Sequence, residues 1–244
     1  MSRTRGLMRL TKNLLILSVA LVTLAAVPPC SATATAVLPV RRVLLVGGSA
    51  AHGWLDPHRD SYLQRALATV HAATGQAFKV SDHTIPGETA VGIGWARYQR
   101  WVRMAHPDIV ILSWGLLNDV HQHTPMSAYD AAMLNEIAVA RQAGADVLLV
   151  TPPVTKASAT NGWPLEHQYM QAELRDAEFY AVRDQHVHVI DLFSQMQATL
   201  MARSQTYRPY SADWAHPNRA GHRLAGQLLA EDLLQPYLRA SLNL

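Results

Sequence analysis

Two short segments of this sequence hold the residue types of nucleophilic catalysis: Gly47-Gly48-Ser49, and Asp213-Trp214-Ala215-His216 near the other end of the chain. A serine hydroxyl is a weak nucleophile until a base takes its proton. His216 is the candidate base. An imidazole in that role needs a group that fixes its tautomer and stabilises the imidazolium, and Asp213, three residues earlier, can turn back to do so within one loop. Attack on a carbonyl creates an oxyanion that preorganised donors must meet. The backbone N–H groups of Ser49 and Gly87 and the side-chain amide of Asn118 are the candidate donors, and glycine at 87 lets the backbone approach a substrate unobstructed. Such a set needs neither a metal nor an organic cofactor.

These residues must be carried to one place by the elements between them. Short apolar runs alternate with longer amphipathic stretches. Val43-Leu44-Leu45-Val46, Ile109-Val110-Ile111-Leu112, Val147-Leu148-Leu149-Val150, Val187-His188-Val189-Ile190 and Phe78-Lys79-Val80 read as strands, and the unbroken runs suit a parallel sheet covered on both faces. The stretches between read as helices. One starts at Asp60 as N-cap and stops at Gly75, with Leu63, Leu67 and Val70 on one face. Others cover residues 127–141 and 165–185, the second charged enough to be partly solvated. A last one begins at Pro217, carries Leu224, Leu228 and Leu229 as its stripe, and is closed by Pro236. The alternation implies one α/β domain over residues 37–244. Ligands of an open α/β sheet bind outside the carboxyl ends of its strands. There the candidate residues fall, with irregular stretches at 151–164 and 205–213 as rims.

In order and content the four segments resemble the conserved blocks of the SGNH hydrolases, also called the GDSL family. Gly47-Gly48-Ser49 is similar to the first block, Gly87 to the second, Asn118-Asp119 to the third and Asp213-x-x-His216 to the last. The resemblance implies a flavodoxin-like three-layer α/β/α sandwich with a mostly parallel five-stranded sheet. It implies a catalytic Ser49, Asp213 and His216, and an oxyanion hole of Ser49, Gly87 and Asn118. Two positions depart from the family's pattern. Gly48 stands where the family has an aspartate, and an extra residue separates Gly115 from Asn118. The Gly-x-Ser-x-Gly elbow of the other large serine-hydrolase fold is absent, because position 51 is alanine.

Residues 1–36 have the layout of a secretory signal: Arg3, Arg5, Arg9 and Lys12, an apolar run over 14–27, then small residues to Ala34-Thr35-Ala36. The run is short for a permanent span, which takes about 20 residues. An exported protein is expected, with the membrane involved only through this segment if it stays uncleaved. The segment holds four of the 21 Lys and Arg and none of the 18 Asp and Glu, leaving 17 against 18. No nucleic-acid footprint survives in the remainder. Cys30, the one cysteine, lies in the segment too, so the remainder has no disulfide, no thiolate zinc site and no cysteine nucleophile.

Each candidate also has a plainer reading. Ser49 alone could cap a helix, His216 could be a surface histidine and Asn118 a turn residue. Asp119 is expected to support its loop by hydrogen bonding. His121-Gln122-His123 lacks the carboxylate or cysteine that would complete a metal site. His52 and His58 lie near the nucleophile in sequence. Trp163 and Tyr207 are the candidate substrate contacts, and Trp114 is expected to pack beneath the loops. Three functions are compatible with these residues: hydrolysis of a small, lipid or glycan ester, acyl transfer to a polysaccharide through the same acyl-enzyme, and a non-catalytic envelope binding module on the same fold.

Overall fold

The computed structural model describes residues 38–159 and 164–244. The 1–36 segment and Trp163 lie outside these residues. Five strands, β1 (Arg41–Gly47), β2 (Phe78–Thr84), β3 (Ile109–Ser113), β4 (Asp146–Val150) and β5 (Val187–Ile190), form one all-parallel sheet in the order β2-β1-β3-β4-β5. Every residue of β3 and β4 is buried, the outcome expected of runs with helices over both faces. β2 is an edge strand and reads as one, with Lys79, Val80 and Asp82 exposed.

The helices in chain order are α1 (Ser49–His52), α2 (Tyr62–Thr74), α3 (Ala90–Ile93), α4 (Trp95–Ala105), α5 (Leu117–Gln122), α6 (Met126–Gln142), α7 (Lys156–Ala159), α8 (Pro164–Ala181), α9 (Leu192–Ala202), α10 (Arg219–Leu233) and α11 (Pro236–Leu242). α2, α9, α10 and α11 form one outer layer; α3, α4, α5, α6 and α8 form the other. The result is the expected three-layer α/β/α sandwich. Among the described residues no helix is long and apolar enough to cross a membrane.

α2 and α10 touch closely because Gly226 leaves room: a Cβ there would stand 2.8 Å from Arg65 Cβ. Their contact also buries His222 against the Tyr62 ring, with centroids 6.1 Å apart and planes 8° from parallel. At the carboxyl end of the sheet the Tyr62 hydroxyl bonds Ser113 Oγ, which donates to Val150 O at 2.7 Å. One chain of hydroxyls thus ties α2, β3 and β4 directly beneath the loops of interest.

Three local expectations change. Ser61, not Asp60, caps α2, its hydroxyl accepting from Gln64 N at 3.3 Å. Asp60 instead holds Arg65 through its carbonyl and its carboxylate. α10 begins at Arg219 behind the cap Asn218, so Pro217 precedes the helix and does not open it. Pro236 starts α11. α8 is partly solvated as expected, with Arg175 and Glu178 exposed, but three of its four acids are covered: Glu166, Glu173 and Asp176 are 2%, 0% and 8% exposed. These three share a helical stripe with Tyr169, Met170 and Ala177 on the covered side.

Candidate active site

The sheet order reverses between β1 and β3, so the crevice for a ligand opens at the carboxyl ends of these two strands. Ser49 stands there as the first residue of α1, with Gly48 at the cap position in extended conformation (φ −91°, ψ −157°). The sharp exit from β1 depends on Gly47, where a Cβ would fall 2.1 Å from Ser113 O. Ser49 is therefore not the helix cap, and its hydroxyl is directed elsewhere.

The partner is His216, whose Nε2 lies 2.9 Å from Ser49 Oγ. Its Nδ1 lies 3.0 and 3.1 Å from the two carboxylate oxygens of Asp213. A carboxylate accepts only, so Nδ1 carries the proton and Nε2 is free to accept from the serine hydroxyl. Asp213 Oδ1 also accepts from the N–H groups of Ala215 (2.8 Å) and His216 (2.7 Å), closing the loop on itself. Partial burial works against the charge of Asp213. The bonds from the His216 ring and the two N–H groups more than offset that, and the carboxyl lies below the ordinary aspartate range.

Asn218, a residue whose part was not foreseen, anchors this loop. Its Oδ1 accepts from Ala220 N and Gly221 N, while its Nδ2 donates to Pro209 O at 3.0 Å and Ser211 O at 3.3 Å. Gly221 lets the loop close on the helix, since a Cβ there would meet Tyr210 O at 2.2 Å. The sequence signal was Asn directly before an amphipathic helix, a cap signature.

The other donors come from two neighbouring loops. Ile85-Pro86-Gly87-Glu88 is a type II turn: Glu88 N donates to Ile85 O at 3.2 Å, and Gly87 sits at φ +82° in the position that requires it. Asn118 Nδ2 donates to Glu88 O at 3.1 Å, joining this turn to the loop after β3. Among the described residues, neither Ser49 N–H nor Gly87 N–H meets a protein acceptor, and the Asn118 amide keeps its second hydrogen. The extra residue before Asn118 is absorbed at Leu116, in a γ-turn with φ +61°, ψ −30° and a Leu117 N to Gly115 O bond of 2.7 Å. Positive φ is strained for leucine. Its side chain, 1% exposed, holds it there.

A cavity of about 210 Å³ runs over these groups, with Ser49, Asn118 and His216 in its wall. Leu117, Pro152, Pro153 and Trp214 supply apolar surface, and His121, Thr155 and Glu166 the remaining polar groups. A larger groove of about 540 Å³ follows α2 and the edge of β2, and among the described residues its lining holds no serine or cysteine. Tyr207 is not in the Ser49 cavity. It borders an adjoining one with Lys156, Arg208 and Asp213, and Trp214 lies between the two. His52 turns away to Thr84, its Nδ1 at 3.1 Å from both the carbonyl and the hydroxyl. Trp114 packs as expected, 1% exposed, its Nε1 donating to Glu136 at 2.9 Å.

In and around the site lie buried acids whose burial the sequence did not reveal. Burial pushes the Glu136 carboxyl up to about 8, against the Trp114 N–H, and pushes Glu166 up to about 8 as well. Glu173 is raised well above the ordinary carboxyl range by burial and by neighbouring carboxylates. Asp119 is buried with no close donor to either carboxylate oxygen; burial raises it to about 6, and the Thr124 side chain and its own backbone N–H only partly offset this. Glu166 sits in the first turn of α8, where the helix field favours its anion. That field is worth about 0.3–1 kcal/mol, less than one pH unit at about 1.36 kcal/mol each, so burial prevails.

The fold and this site define an SGNH-type carboxylic ester hydrolase. A model of the GDSL-like Lipase/Acylhydrolase family matches residues 45–224, and the chain belongs to that family. No curated protein matches the sequence. Among solved structures it is similar to Axe2, an acetylxylan esterase from Geobacillus stearothermophilus, at 16% identity and a TM-score of 0.64, over 82% of this chain and 97% of that one. It is also similar to a lipase/acylhydrolase from Enterococcus faecalis, at 22% identity and a TM-score of 0.59, over 79% of this chain and 95% of that one.

Proposed function

We propose that the chain is an exported serine esterase that cleaves short-acyl esters, O-acetylated glycans among them, through an acyl-enzyme on Ser49. The observation that carries this reading is the 2.9 Å contact between His216 Nε2 and Ser49 Oγ, with Asp213 on the far side of the ring. His216 takes the hydroxyl proton as Ser49 attacks the ester carbonyl, then returns it to the leaving alcohol; water, activated by the same histidine, releases the acid. Ser49 N–H, Gly87 N–H and the free hydrogen of Asn118 receive the oxyanion.

A short acyl group is supported by the size of the cavity. At about 210 Å³ it is smaller than the roughly 300–1,000 Å³ of pockets that enclose drug-sized ligands. The acetylated-glycan reading also draws on the shared fold of the acetylxylan esterase. Export rests on the basic head and apolar run of residues 1–36. The test is turnover of p-nitrophenyl acetate and longer esters by wild type and Ser49→Ala. We expect the acetate to be preferred and the variant, folded, to lose nearly all turnover. Undiminished turnover in the variant would refute the reading.

A further inference from the structure

One wall of the Ser49 cavity carries a polar group the proposed mechanism does not use. Glu166 lines it with only 2% of its surface exposed, and its Oε2 is buried without a hydrogen-bond partner. The other polar wall groups away from Ser49 are placed differently. His121 is exposed, and the Thr155 hydroxyl already has a partner in the Ser158 hydroxyl, 3.3 Å away. Pro152, Pro153, Leu117 and Trp214 give the same cavity apolar surface. A plain hydrocarbon group in this cavity would leave the carboxyl unsatisfied once water is expelled, which is unfavourable for a buried polar atom.

We propose that Glu166 is a specificity-determining residue of this cavity, and that it takes a free hydroxyl carried by the substrate close to the ester. The proposal rests on the esterase reading of the same cavity. A carboxyl retained in its acid form offers one donor and one acceptor, and a hydroxyl offers the same pair in return. Burial raises the Glu166 carboxyl to about 8, so that form is the one present near neutrality. Among the described residues no Lys or Arg lines this cavity, so an anionic substrate group gains nothing there. The hydroxyl can come from the alcohol portion, as in a partly acetylated polyol or sugar, or from a hydroxy-acyl portion.

The experiment compares kcat/KM of wild type, Glu166→Gln and Glu166→Leu on glycerol monoacetate, propyl acetate and ethyl lactate. Propyl acetate lacks the hydroxyl, and the other two place it on opposite sides of the ester. Wild type is expected to favour a hydroxylated ester over propyl acetate. Glu166→Leu should lose about tenfold or more on that ester while keeping or gaining turnover of propyl acetate. Glu166→Gln, which keeps a donor and an acceptor in nearly the same shape, should retain most of the preference and guards against misfolding of the leucine variant. Loss on glycerol monoacetate alone assigns the hydroxyl to the alcohol side; loss on ethyl lactate alone assigns it to the acyl side. Equal loss on all three esters, or no change in the preference, overturns the assignment of Glu166 and leaves the Ser49 reading standing. Absence of wild-type turnover on every ester overturns both.

Discussion

The Asn118 side-chain amide donates to Glu88 O at 3.1 Å and so bolts the loop after β3 to the turn that presents Gly87. One of its hydrogens holds the scaffold; the other is the one we propose for the reacting oxygen. Replacing Asn118 with alanine should therefore lower kcat by about 10²–10³, the usual penalty for one oxyanion donor, with little change in KM. Steady-state kinetics on p-nitrophenyl acetate checks this. A rise in KM at constant kcat would mean that Asn118 serves ground-state binding instead.

Asp213→Asn should separate orientation from folding. Asparagine keeps an Oδ1 to accept from Ala215 N and His216 N, bonds of 2.8 and 2.7 Å in the native loop. It presents an NH₂ to the ring, however, and the proton then belongs on the wrong nitrogen. We expect kcat/KM to fall by roughly 10³–10⁴ with the melting temperature nearly unchanged. Melting curves and kinetics on the same preparation test both halves.

Glu136 makes stability depend on pH. Its folded value of about 8 lies above its ordinary 4.5, so the native state binds a proton that the unfolded chain has already released. The contribution is fully present below about pH 4.5 and is lost as pH rises toward 8. Glu136→Gln should therefore reduce the loss of stability between pH 5 and pH 8, on the order of 1–4 kcal/mol by linkage. His222 acts on the acid side. Burial lowers it to about 4, and its contribution, present above 6.5, is lost as pH falls through that range. Denaturant titrations at pH 4, 5.5 and 8 follow both limbs.

The two glycines before the nucleophile should respond differently to a methyl group. At Gly47 a Cβ would stand 2.1 Å from the backbone oxygen of Ser113, and 2.8 Å from Ala51 Cβ. At Gly48 the nearest atom, Gly115 N, is 3.3 Å away. Gly47→Ala should destabilise by about 1–3 kcal/mol or more through overpacking, and disturb Ser49 with it. Gly48→Ala needs a shift of only a few tenths of an ångström and should unfold nearly as wild type does. Equal effects in urea denaturation would contradict this picture of the β1 exit.

The sheet and most of the site were legible in the sequence because few alternatives satisfy their physics. Unbroken apolar runs such as Ile109-Val110-Ile111-Leu112 belong to strands covered on both faces, and all four residues are at most 2% exposed. Ser49, Asp213 and His216 stood out because acyl chemistry accepts few other types. Residues whose behaviour depends on a distant neighbour were opaque. Glu173 looks like a solvated helix carboxylate until α6 and the sheet cover it. Tyr207 lies in the right irregular stretch, but the loop sets it in the cavity beyond Trp214. The strained turn at Leu116 leaves no local sign, since leucine gives no hint of positive φ.

Covalent labelling tests the centre of the account most directly. Wild type, Ser49→Ala and His216→Ala would be treated with a fluorophosphonate and the modified peptide located by mass spectrometry. One label per wild-type molecule is expected, on Ser49, with no label in folded Ser49→Ala and strongly slowed labelling in His216→Ala. A label on another residue, or equal labelling of all three proteins, would contradict it.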